Sequence, residues 1–168
     1  MKKNLNSPKL VPVYITFALF LIVVASCNSS KKDGATTFDL ATAKKEIAKR
    51  NAVFMNALRE RDSVGVAKCY TLNSKFMMPN AKAVVGRENL IPVIRGFIMG
   101  GMTNITIKPI EVWGNEDMMT VEQQWEFTDK NGAIIDRGKS LELWKKEDNE
   151  WKIFRDCFNS DLPIPKTQ

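Results

Sequence analysis

The chain of 168 residues contains no histidine. That absence removes Ser-His-Asp and Cys-His nucleophile systems, imidazole zinc sites and a histidine general base. Cysteine is scarce, three in all and widely spaced, so there is no Cys-x-x-Cys metal or redox pair. No glycine-rich phosphate loop is present either, since Gly100-Gly101 reads only as a helix stop. A basic stripe interleaved with aromatics is also missing: Lys145-Lys146 is followed at once by Glu147-Asp148, and no nucleic-acid partner is implied. The sequence thus calls for no metal and no cofactor. Any chemistry would have to run on carboxylates, phenol and amides.

Residues 1–26 hold Lys2, Lys3 and Lys9, then an apolar run from Leu10 to Ala25, and read as a secretion signal. The run is about 16 residues with Pro12 near its start, short of the roughly 20 needed to span a bilayer. Removing it takes away those three lysines and lowers the net charge from +6 to +3, so the basicity belongs partly to targeting. Val24-Ala25-Ser26-Cys27 resembles a lipoprotein lipobox, with Val24 where Leu is commoner. The resemblance implies acylation of Cys27, a membrane-anchored envelope location, and a body held in water by its lipid. Residues 27–37 are polar and read as a tether.

The body, residues 38–163, divides into a helical and an extended half, followed by a short tail at 164–168. From Leu40 to about Arg61, Ile47, Phe54 and Leu58 share one face of a long amphipathic helix. At about 22 residues it would span roughly 33 Å. Asp62-Ser63 offers an N-cap for a short second helix ending at Tyr70. Phe76-Met77-Met78 before Pro79 is a brief strand, and Arg87 to Met99 a third helix in which Asn89 would cap ahead of Pro92. Four β-rich segments follow, about 104–113, 117–128, 133–146 and 150–158, joined by hairpin turns. The expectation is an α+β domain, three helices packed on an antiparallel meander.

Parity sharpens this. Met119, Val121, Gln123, Trp125 and Phe127 alternate with Thr120, Glu122, Gln124 and Glu126, a strand buried on one side. In the last strand Trp151, Ile153 and Cys157 fall on one face, Phe154 and Phe158 on the other. Apolar residues on both faces need cover on both, which leads to the expectation of a homodimer through the sheet.

Val66-Ala67-Lys68-Cys69-Tyr70-Thr71, Phe76-Met77-Met78-Pro79-Asn80, Gly86-Arg87-Glu88, Gly138-Lys139, Leu143-Trp144-Lys145-Lys146 and Trp151-Lys152-Ile153, in that order, resemble the SnoaL-like group, specifically the family called domain of unknown function 4440. The resemblance covers about residues 40–163. It implies the cone of nuclear transport factor 2 and ketosteroid isomerase, a curved sheet around the first helix with a pocket at its open end, commonly dimeric. Asn73 stands where relatives often carry Asp.

Each candidate site residue has a plain structural alternative. Tyr70 is the one tyrosine outside the signal and either donates to a substrate oxygen or packs at a helix end. Asp156, among aromatics, is a general acid or base with a raised pKa, or a partner of Arg155; Asp136 is the same, or a solvated pair with Arg137. Gln123, the lone polar member of an apolar face, orients a ligand or marks the face's wet end. Trp113, Trp125, Met78 and Arg155 complete the expected ligand-binding set, the tryptophans doubling as core. Cys69 and Cys157 form a disulfide or stay free. The leading expectation is a site for a small, largely apolar molecule. The alternatives are an isomerase or lyase of ketosteroid-isomerase type with Asp156 and Tyr70 as its catalytic pair, and a dimeric interaction module with no ligand.

Overall fold

A computed structural model describes residues 38–163. The expected signal segment, Cys27 and its lipidation, the tether and the tail lie outside the described residues. None of the described helices is long and apolar enough to cross a membrane.

Helix α1 (Leu40–Arg59) begins where Asp39, in extended conformation, accepts from the amide of Ala41 at 2.9 Å. It ends two residues before the expected point because Arg61 adopts φ 61°, a left-handed stop. Asp62 then caps α2 (Ser63–Lys68) through the amide of Gly65 at 2.8 Å. A Cβ on Gly65 would sit 2.3 Å from the Asp62 carboxylate, so the cap and the glycine require each other. Tyr70, expected at the end of this helix, instead opens β1 (Tyr70–Met77), since the Cys69 carbonyl is taken by the amide of Ile153.

Strand β2 (Val84–Val85) returns along β1, and Gly86 at φ 89° turns the chain into α3 (Arg87–Met99). Asn89 does not cap this helix as expected. It lies within the first turn and donates to the Val85 carbonyl at 2.8 Å. Pro92 therefore falls beyond the first turn rather than within it, one backbone bond short of a full ladder. The remaining strands are β3 (Asn104–Gly114), β4 (Met119–Thr128), β5 (Ile134–Glu147) and β6 (Glu150–Ser160). The β5–β6 turn is the two-residue hairpin Asp148-Asn149, with φ of 55° and 62° as that turn type demands.

The six strands run in the order β2-β1-β6-β5-β4-β3. The fold is thus α+β, but the sheet is mixed rather than wholly antiparallel: β1 lies parallel to β6. The short apolar triplet at 76–78 hid a strand of eight residues, because its first five residues include polar Thr71, Asn73 and Ser74.

The β5–β6 ladder holds a register shift that decides the site. Leu143 pairs with Arg155 and Trp144 with Ile153, so Phe154 is an extra, unpaired residue. One extra residue inverts every side chain beyond it. Trp151 and Ile153 face the core, and after the bulge it is Asp156 and Phe158 that face the same side. Cys157, expected beside Trp151, is exposed, and Phe158 lies inside rather than outside. Phe154 is covered by cations, the Arg155 guanidinium 3.5 Å and the Lys145 ammonium 4.4 Å from its ring. The two-faced apolar character that suggested a second subunit is therefore partly met within the chain.

Candidate functional site

Between α1, α3 and the inner face of the sheet is a cavity of about 290 Å³. Its walls are aromatic, from Phe54 on α1, Phe76 on β1, Phe97 on α3, Trp125 and Phe127 on β4 and Phe158 on β6. Met78, Met102, Ile105 and Ile107 fill between them. Trp125 meets Phe158 edge to face, at 5.8 Å and 82°. Gly138 on β5 makes room for this wall: a Cβ there would lie 2.5 Å from the Trp125 ring and 2.0 Å from the Asn159 carbonyl.

Polar side chains converge on this apolar chamber from four strands, β1, β4, β5 and β6. The Tyr70 hydroxyl donates to Asp156 Oδ2 at 2.7 Å. Gln123 donates through Nε2 to Glu142 Oε1 at 2.7 Å and accepts from Asn51 Nδ2 at 3.0 Å. Glu142 also accepts from the Trp144 indole at 2.8 Å and the Ser140 hydroxyl at 3.4 Å. Glu142 and Asp156 are paired across β5 and β6, both almost wholly buried, at 4% and 5% exposure.

Burial sets the acid–base properties. Desolvation lifts Asp156 from the usual 3.8 to about 6, against the opposing hydrogen bond from Tyr70. Desolvation first and the Asp156 charge second push Glu142 well above the usual carboxylate range, opposed by its donors Trp144, Ser140 and Gln123. Tyr70 is raised well above 10 by burial and by Asp156, and stays a phenol. Two buried carboxyls paired across neighbouring strands therefore resist ionising together, each raising the cost of the other's charge.

Of the expected residues, Tyr70, Asp156, Gln123, Trp125 and Met78 line one cavity. Trp113 and Arg155 do not. Trp113 is 42% exposed near the end of β3, and the bulge at Phe154 turns Arg155 to the outer face, where its guanidinium donates to the carbonyls of Asn73 and Phe154. Asp156 bonds Tyr70 rather than Arg155. Asp136 lines the cavity with its carboxylate held by the Ser160 hydroxyl at 2.6 Å and the Arg137 amide at 2.7 Å. Cys69 is buried and Cys157 exposed, and both are free. Trp144 and Trp151 are fully buried core.

Three site residues escaped the sequence reading: Asn51, Ser140 and Glu142. Asn51 had a signal, since it falls on the Ile47–Phe54–Leu58 face of α1, a polar side chain at a core position. Glu142 shares strand parity with Trp144, yet its neighbours Leu141 and Leu143 suggest the opposite face as the buried one. Leu141 is in fact 52% exposed.

The chain matches no protein-family model and no curated protein. Solved structures do resemble it. A ketosteroid isomerase-like protein from Erwinia carotovora atroseptica is 22% identical, with TM-score 0.58 over 71% of this chain and 96% of that one. A Nostoc punctiforme protein of unknown function with a cystatin-like fold gives 16% identity and TM-score 0.64 over 74% and 96%. An NTF-2 like protein of unknown function from Shewanella oneidensis gives 16% and 0.59 over 69% and 98%. At these identities the likeness establishes the fold, that of nuclear transport factor 2, and leaves activity to the site.

Proposed function

We propose that this protein is a SnoaL-like, lipid-anchored domain of the cell envelope that binds a small, largely apolar molecule with one polar end. The observation that carries the reading is the cavity itself: aromatic walls with hydrogen-bonding side chains converging on them, the ordinary design of a small-molecule site. At about 290 Å³ it stands at the low end of such sites, which run from roughly 300 to 1,000 Å³. The Val24–Cys27 lipobox supports the anchor, with the body reaching out on the 27–37 tether. Dimerisation belongs to the same reading, supported by exposed Leu141, which pairs with Cys157, and by exposed Trp113, which stands in line with Thr120 and Leu143.

The Tyr70–Asp156 contact favours a second, catalytic reading. In this reading Asp156 would take a proton from carbon beside a substrate carbonyl, the electron pair moving to the carbonyl oxygen, where Glu142 in its acid form would donate. Returning the proton to another carbon completes an isomerisation, and loss of a leaving group completes an elimination. Tyr70, with its hydroxyl already committed to Asp156, positions that base and does not polarise the carbonyl.

Native mass spectrometry of the protein from its expression host tests the binding reading. The expected result is a retained small molecule, lost when Trp125 is replaced by Ala. A protein that carries none and binds no hydrophobic probe would leave the interaction module as the surviving alternative. Turnover of a retained molecule that stops in Asp156→Asn, with binding kept, would establish the catalytic reading.

A further inference from the structure

The ionisable groups lining the cavity are Tyr70, Asp136, Glu142 and Asp156: three acids, one phenol and no base. The body as a whole is nearly balanced, 19 Lys and Arg against 18 Asp and Glu over residues 38–163, so this sign is local to the cavity. Among the described residues neither Glu142 nor Asp156 forms an ion pair, although both are almost wholly buried. A buried carboxylate without a cation is costly, and chains keep one chiefly where something else completes it. Asp156 is engaged only through Oδ2, by Tyr70, leaving Oδ1 without a donor among the described residues. Around this acid pair stand aromatic rings, whose faces attract cations most strongly when water is excluded.

We propose that the ligand of this cavity is a small lipophilic amine or ammonium ion, its cationic head at Glu142 and Asp156 and its apolar body against the aromatic walls. The proposal deepens the binding reading and rests on it. The cavity is the reason to expect a ligand, and the acids and rings decide its charge. A neutral ligand of the same shape would fill the space yet leave the buried charge unmatched. An anionic one would bring a charge of the same sign as the acids.

The test is calorimetric titration of the full chain at pH 7.5 with three probes of similar size: 4-phenylbutylamine, protonated there as a lysine is, 4-phenylbutanol and 4-phenylbutanoate. The amine is expected to bind at least about tenfold more tightly than the alcohol, since a charge-assisted bond and a cation–ring contact are both lost in the neutral probe. The carboxylate is expected to bind more weakly than either. In the Glu142→Gln, Asp156→Asn double variant, which keeps size and shape, the amine-to-alcohol ratio should fall to within about threefold of unity. Equal or tighter binding of the alcohol to the native protein overturns the cationic proposal and leaves the binding reading standing. An amine preference that survives the double substitution overturns the assignment to these two acids. Failure of all three probes overturns the proposal and the binding reading together.

Discussion

Replacing Asp156 by Asn should stabilise the protein, and do so only above mildly acidic pH. The carboxyl titrates near 3.8 when the chain is unfolded and at about 6 when it is folded, because burial penalises the ion. Below pH 4 both states hold the proton and the penalty is absent. Between pH 4 and 6 the unfolded chain gives up its proton while the folded one retains it, so stability falls with rising pH, and above 6 the full penalty applies. A separation of about two pK units corresponds to about 3 kcal/mol at 1.36 kcal/mol each. Asn occupies the same volume and still offers Tyr70 an acceptor oxygen, so the hydrogen bond is kept while the charge is lost. Removing the charge also relieves Glu142, whose own rise is due in part to Asp156, and this acts in the same direction. Urea unfolding of both proteins at pH 4 and pH 8 reads the effect: near coincidence at pH 4, and a variant more stable by about 2–3 kcal/mol at pH 8. At pH 8 that gain should appear as a melting point higher by roughly 10 °C. A difference that does not change between the two pH values would refute the argument, because a solvated Asp156 has no penalty to lose.

Tyr70→Phe removes the hydroxyl that Asp156 accepts from, and a carboxylate left unsatisfied should cost about 1–3 kcal/mol at pH 8 and much less at pH 4, again by urea unfolding. Gly138→Ala places a methyl group 2.0 Å from a backbone carbonyl that cannot yield; we expect a loss of roughly 3 kcal/mol or more and a changed tryptophan emission as Trp125 shifts, whereas native-like stability would contradict the close packing. Cys27→Ser should release the protein into the soluble fraction of its host, and continued membrane retention would refute lipid anchoring.

Much of the architecture is legible in the chain because local pattern and tertiary demand agree there. The α1 stripe of Ile47, Phe54 and Leu58, the alternation from Met119 to Phe127 and the Asp148-Asn149 turn each state their structure directly. The failures occur where two neighbours compete for one residue. Tyr70 can close α2 or open β1, and only the distant amide of Ile153 decides. Strand β1 as a whole is invisible to periodicity because its partner β6 lies some eighty residues away, and a parallel pair has no turn to announce it.

The site was half legible for a related reason. A single polar residue on an apolar strand, Gln123, is a readable anomaly, and it points into the cavity as parity requires. Asp156 is readable as a carboxylate among aromatics, but its direction is not: strict alternation from Trp151 would send it outward and Arg155 inward. The unpaired Phe154 reverses that order, and an inserted residue leaves no mark in composition or period. The bulge holds because each inverted side chain finds a better place, Asp156 on Tyr70, Phe158 on Trp125, Arg155 over Phe154. Glu142 is the harder case. Its strand places Leu141 and Leu143 on one face and Ser140, Glu142 and Trp144 on the other, and hydrophobicity alone buries the leucines. The structure buries the acid, with three donors from its own strand and from β4 waiting for it. A sheet that turns its leucines outward and its carboxylate inward sacrifices stability, and such a sacrifice is intelligible where the interior has a charge to bind or a proton to move.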